Sequence, residues 1–280
     1  MVSAVNDRLP LSFHMTFQPE RHYLSALLAF AQSNDGPVTI ATISEQTGIP
    51  TGKSSGKVRP LLQYARGMGL IDSATKSGNG VQLQLTSLGK AVMDEDSHLI
   101  EQTTQWALHL MLCRARGGAE VWHAVFVEAA AALGRDLDEA HFEAYLENKY
   151  GSSRDAVGPL VRSYADPAAL GKAAAIQKED GRIRLRKMPL QPAFFDTLGA
   201  LLFLIWDDIC PGESQIALRE LESESGFMAA TGWNSEEQSD FFASAESAGL
   251  FRVDRQTGAP ILTRLMNTDA LLEVMYDRLI

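Results

Sequence analysis

Apolar positions recur at helical spacing over most of the chain and at strand spacing in a few short stretches. A first helix is expected over 20–32. The segment VTIATISEQTGIP then turns Ile40, Ile43 and Ile49 toward a core and Ser44, Glu45 and Gln46 toward water, a short helix that Gly48 and Pro50 end. A second helix is expected from residue 54 or 55 to 68, with Val58, Leu61, Leu62 and Tyr64 or Ala65 inward; Pro60 is tolerable only near its start. Leu70 and Ile71 open a short strand, KSGNG carries hairpin-turn chemistry, and VQLQLT sets Val81, Leu83 and Leu85 inward against outward glutamines. A further helix starts at Ser87. Helix, tight turn, helix and two-stranded hairpin is the order of a winged helix-turn-helix domain.

From about residue 98 the pattern is helical, and it stays so through DEAHFEAYLENKY and SRDAVGPLVRSYA. In KEDGRIRLRKM, Arg182, Arg184 and Arg186 alternate with Ile183 and Leu185, which reads as an exposed edge strand protected from aggregation by charge, with a second phosphate contact as the alternative. The last stretch repeats the first: ESAGLFRV matches ARGMGLID in role, so Gly69-Leu70 and Gly249-Leu250 mark the same helix-to-strand joint, and RQTGAP is a wing-like turn. The expected fold is mainly α with small β-wings. It comprises an N-terminal winged helix-turn-helix over 1–95, a helical middle over 96–190 and a second winged-helix-like module over 191–280.

Charge separates the two modules. The chain of 280 residues carries a formal net charge of −10, which argues against nucleic acid as a partner when taken alone. Yet residues 37–90 hold six basic side chains against two acidic ones, net +4, whereas residues 211–250 hold one basic and eight acidic, net −7. Basic clustering is the electrostatic footprint of nucleic-acid binding, and an acidic helix is repelled by phosphate. The C-terminal module is therefore expected to bind protein or the first domain. A composition 45% hydrophobic and 21% charged suits a globular chain with a sizeable core. The two cysteines, Cys113 and Cys210, form no CxxC pair, so neither a disulfide framework nor a zinc ribbon is indicated. The N-terminus has no signal-peptide pattern, and the longest apolar run, ALLFLIW, is too short for a bilayer. A cytoplasmic protein without membrane contact is expected.

GIPTGKSSGKVRP has the residue types of a phosphate loop, but Gly48 stands one residue too close to Gly52-Lys53-Ser54 and no buried strand precedes it. The stretch reads instead as the turn and leading end of a recognition helix. There Lys53, Ser54, Ser55, Lys57, Arg59 and Arg66 face phosphate and groove edges, with Lys76 and Asn79 on the wing. His109 and Cys113 are four apart on one helix face, but two ligands are no metal site; a polar group in a helix core is the ordinary explanation. Adjacent Asp207 and Asp208 point about 100° apart on a helix, so they form no carboxylate pair and instead end the apolar helix in water. His14, between Phe13 and Phe17, suits orienting a loop by hydrogen bonding. A pocket assembled from distant residues such as His14, Trp106 and His109 is beyond a reading of the sequence. No serine elbow, HExxH or Rossmann glycine pattern occurs, so no enzyme activity, metal or cofactor is expected.

Four strings, SFHMTF, ISEQTGIPTGKSSGKVRPLLQYARGMGLI, LTSLGKAVMDED and TQWALHLMLCRARGGAEVWHAVF, resemble the bacterial domain-of-unknown-function 4007 family over residues 11–126. The resemblance implies association with anti-phage defence clusters, including DNA phosphorothioate modification and restriction systems. The expected function is a non-catalytic DNA-binding accessory subunit that positions partner proteins on double-stranded DNA. The alternatives are a protein scaffold of such a complex, favoured by the net charge of −10, and a regulator of its own operon.

Overall fold

The structure, a computed structural model, describes residues 7–52, 56–76, 80–151, 154–255, 258 and 260–279. It is mainly helical with small antiparallel sheets. The N-terminal module runs α1 (Arg21–Ser33), α2 (Ile40–Thr47), α3 (Val58–Gly67), β1 (Ile71–Lys76), β2 (Gly80–Leu85) and α4 (Ser87–Glu95), the order expected from the sequence. Ile43 and Ile49 are fully buried, as are Val58, Leu61, Tyr64 and Ala65, so the helical spacing of the apolar residues locates the core. Thr39 caps α2 by accepting from the Thr42 N–H, and Thr86 caps α4 by accepting from the Gly89 N–H.

Next come α5 (Gln102–Cys113) and α6 (Glu120–His123), which continues through a π turn (Ala124–Ala129) into α7 (Ala130–Leu133). The middle then holds β3 (Asp136–Asp138), α8 (Glu139–Tyr150), α9 (Arg154–Ala165), β4 (Ile176–Glu179) and β5 (Arg182–Leu185). The C-terminal module comprises α10 (Phe195–Ile209), β6 (Gln215–Ala217), α11 (Leu218–Ser225), α12 (Phe227–Thr231), α13 (Ser235–Ser247), β7 (Phe251–Asp254), β8 (Ile261–Arg264) and α14 (Thr268–Glu273).

The middle departs from the sequence reading, because it is not helical throughout. Its sheet has the order β3-β5-β4, so the arginine-rich strand is the centre and not an edge. Arg182 and Arg184 stand across from Asp138 and Asp136 on β3 and from Glu179 and Gln177 on β4. Opposite charges on neighbouring strands thus pair the arginines that were expected to guard a free edge. The flanking strands β3 and β4 have three and four residues with one apolar side chain each, which carry almost no periodic signal.

One topology recurs three times. In the C-terminal sheet, ordered β6-β8-β7, the first strand pairs with the last, and the last two form a hairpin. The middle sheet has the same plan, and the N-terminal module reduces its first strand to a bridge in which Val38 and Val81 exchange both backbone hydrogen bonds, at 2.9 and 2.8 Å. The residue before each hairpin accepts from the residue after it: Leu70 O from Thr86 N, Ala175 O from Arg186 N, and Leu250 O from Leu265 N.

The Gly-Leu joints match as the sequence predicts. Gly69 (φ +70°) and Gly249 (φ +76°) take left-handed conformations that only glycine adopts at little cost, and the following leucine N–H returns to Ala65 O in one and Ala245 O in the other. Aligned on these bonds, Arg59, Gln63 and Arg66 of α3 correspond to Ser239, Ala243 and Glu246 of α13.

Helix α5 joins the modules. It is buried from Thr103 to Cys113, and its buried threonines and Gln105 are hydrogen-bonded, whereas the Trp106 indole N–H has no partner among the described residues. Thr103 donates to Thr197 Oγ1 (3.1 Å) and Thr104 shares a hydrogen bond with the Tyr276 hydroxyl (2.7 Å), both in the C-terminal module. Gln105 donates to Leu99 O and accepts from the Lys172 and Ala173 N–H groups. Buried polar groups left unpaired would each cost about 1–3 kcal/mol, so these bonds fix how the elements meet. The buried apolar side chains form one continuous core through all three regions.

Candidate nucleic-acid interface

Helix α3 buries one side against α1 and β1 and leaves Arg59 and Arg66 exposed and Gln63 half-buried. Their spacing of four and three residues sets them in one outward stripe. The Arg59 and Arg66 side chains make no hydrogen bond or ion pair among the described residues. Pro60 falls in the first turn of α3, where a missing N–H is not needed. Gln63 was not singled out from the sequence, although its place between the two arginines is visible in the spacing.

The other expected contacts fare differently. Lys57 stands at the head of α3, but its ammonium is bound to the Glu20 carboxylate at 2.5 Å and lies over the rings of Phe17 (5.7 Å) and Tyr23 (5.2 Å). That charge is paired within the module, unlike those of Arg59 and Arg66. Lys53, Ser54, Ser55 and Asn79 lie outside the described residues; Lys76 ends β1, and only its backbone is described.

Beside the C-terminal end of α3 opens a cleft of about 890 Å³ between the β1–β2 hairpin, the loop after α5 and the end of α10. Arg66 lines it, so the stripe and the cleft share a residue. Arg114, with one tenth of its side chain exposed, donates from Nη1 to Gly67 O (3.0 Å) and Met111 O (3.1 Å). Its Nε lacks a hydrogen bond among the described residues and faces the Asp208 carboxylate at 3.8 Å. Burial depresses its pKa while Asp208 opposes the shift; a guanidinium keeps its charge regardless. Nothing in the sequence around Arg114 signals this role, which arises from packing across the chain.

His109 and His14 are both buried, and each accepts a hydrogen bond at Nδ1. Trp122 Nε1 donates to the Tyr164 hydroxyl (2.8 Å), which leaves the phenol proton for His109 Nδ1 (2.6 Å). Burial, aided by Arg135, lowers the His109 pKa to about 3, so it is a neutral acceptor inside a dry core. Cys113 Sγ lies 3.8 Å from the same ring, and burial holds its thiol protonated. His14 accepts from the Thr16 N–H (3.2 Å) beneath a loop in which Met15 and Thr16 both have positive φ, and burial lowers its pKa to about 4. It holds a loop, as read from the sequence. Asp207 and Asp208 do more than end a helix in water: Asp207 binds Arg264 (2.6 Å) and the Thr268 hydroxyl (2.5 Å), and Asp208 faces Arg114. Among the described residues, no three His, Cys, Asp or Glu side chains gather to hold a metal ion. No helix there is long and apolar enough to cross a membrane.

Two solved structures share the fold. A magnesium ion-bound SspB crystal structure matches over 95% of this chain and 88% of its own, with a TM-score of 0.70 and 16% sequence identity. A second SspB crystal structure matches over the same shares, with a TM-score of 0.69 and 16% identity. No family model matches the chain, and no curated protein is similar to it in sequence.

Proposed function

We propose that the chain is a DNA-contacting accessory subunit of a bacterial anti-phage defence or DNA phosphorothioate modification system, with no reaction of its own. In this reading the N-terminal module is a winged helix, α3 is its recognition helix and the β1–β2 hairpin its wing. The observation that carries it is the outward stripe Arg59, Gln63 and Arg66, whose two charges meet no acid within the described residues. Arginine and glutamine are the side chains that read guanine and adenine edges in a major groove, and arginine also grips phosphate. The likeness in fold to SspB, together with the sequence resemblance to the domain-of-unknown-function 4007 family, supports the system assignment. The acidic C-terminal module is repelled by DNA and docks a partner subunit instead.

Titration with labelled duplex, plain and phosphorothioated, at about 50 and about 200 mM salt tests the reading, since phosphate-driven affinity falls steeply over that range. Salt-sensitive binding is expected, and a preference for one duplex would identify the backbone it reads. Absence of binding to either duplex at the lower salt would contradict it and leave the protein scaffold.

A further inference from the structure

We infer that the cleft beside α3 receives a single unpaired nucleotide from a strand bound along the arginine stripe; this rests on the DNA-contacting reading above. Three observations point to that class of ligand. The first is continuity, because Arg66 belongs both to the outward stripe and to the cleft lining, so a phosphate held at Arg66 places its own sugar and base at the mouth. The second is the chemistry of the wall. Asp72 and Gln84 stand directly opposite each other across the β1–β2 ladder, both exposed, and neither side chain has a hydrogen bond or ion pair among the described residues. An amide that donates and accepts beside a carboxylate that accepts matches the edge of a base, as glutamine does for adenine and an acid does for the cytosine amine. The third is Arg114, nine-tenths buried in the wall, whose Nε faces Asp208 at 3.8 Å and has no hydrogen bond among the described residues.

Size and floor agree. About 890 Å³ lies within the range of roughly 300–1,000 Å³ typical of ligand clefts. The half-buried side chain of Leu204 gives the planar face of a base an apolar surface to lie on, while Ile71, Leu88 and Met111 also line the cleft but are almost wholly buried. Asp7, Asp72 and Asp208 disfavour a bare anion in the same space, and the acids present do not gather as a metal site. A nucleotide satisfies both halves, its phosphate at the arginines and its base edge at Asp72 and Gln84.

Extruding a base from a paired duplex costs a few kcal/mol of unstacking, so a duplex that already carries an unpaired nucleotide avoids that cost. The test compares a fully paired duplex with the same duplex carrying one unpaired 2-aminopurine nucleotide, titrated against the full chain and its Gln84→Trp variant, with melting curves to verify that the variant folds. Expected are about tenfold tighter binding of the unpaired duplex, a change in 2-aminopurine fluorescence on binding, and loss of the preference in Gln84→Trp, whose indole fills the cleft. Equal affinity for the two duplexes, or a preference that survives Gln84→Trp, would overturn the nucleotide cleft while leaving DNA contact standing. Failure of both duplexes to bind would overturn the DNA-contacting reading with it.

Discussion

The N-terminal and C-terminal modules have the same frame and opposite surfaces. Each has a helix that ends in a left-handed glycine, a leucine whose N–H returns to an alanine carbonyl five residues back, and a hairpin closed by the next element. Yet the stripe that reads Arg59, Gln63 and Arg66 in one module reads Ser239, Ala243 and Glu246 in the other, and Glu246 spends its carboxylate on the Val253 N–H (2.8 Å) and Arg255 (3.4 Å). Buried positions and the glycine joint therefore set the frame, while the outward positions of the two helices differ in charge. A frame that recurs without its charge is no evidence for DNA contact.

The comparison is broken most severely at the frame itself. At Gly89 an added Cβ would sit 1.9 Å from the Leu70 carbonyl oxygen, backbone against backbone. Gly89→Ala is expected to displace α4 and cost more than about 4 kcal/mol, read as loss of a cooperative melt or a large fall in its midpoint. A retained midpoint would show that the hairpin and α4 are not locked together.

The paired glycines sharpen it. Both Gly69→Ala and Gly249→Ala carry the left-handed strain of about 1–2 kcal/mol. Only Gly69 is crowded as well, with Met111 Cε 2.6 Å from the added methyl, whereas no described neighbour lies within 4 Å of a methyl added at Gly249. Gly69→Ala is expected to lower the unfolding midpoint further, and equal midpoints would mean that Met111 moves aside freely.

Acid should separate the modules again. All six histidines precede residue 142, so the C-terminal module has none. His14 and His109 have folded pKa values of about 4 and about 3, below the unfolded 6.5. A depressed pKa means that the unfolded chain binds the proton first. Stability is then complete above pH 6.5 and falls as pH drops, by about 1.4 kcal/mol per pH unit for each such histidine. Between pH 6.5 and 5, hydrogen exchange should accelerate around α5 and leave α13 and β7 unchanged; uniform acceleration would contradict this. Smallest is the effect expected at the middle sheet, where Arg182→Ala removes an exposed pair with Asp136 and should barely shift the melting midpoint.

Much of the frame was legible because amphipathic helices, a hairpin turn and Gly-Leu joints are local signals. The start of α4 at Ser87 and the inward Leu83 and Leu85 follow from spacing alone. The middle sheet was not legible, since β3 and β4 are too short to show a period and their pairing with β5 is a long-range event. The site was half legible. Arg59 and Arg66 can be placed outward from helical spacing, but that Glu20 takes Lys57 and that Arg114 reaches the wall of a cleft both depend on contacts distant in sequence.

The most direct test of the central claim, that two arginines on α3 rather than the frame confer DNA contact, is the salt dependence of duplex affinity for the chain and its Arg59→Ala/Arg66→Ala variant. Each phosphate contact contributes about 0.9 to the slope of log affinity against log salt, so the variant is expected to bind more weakly with a slope shallower by about 1.8. An unchanged affinity and slope would place DNA contact elsewhere, or nowhere on this chain.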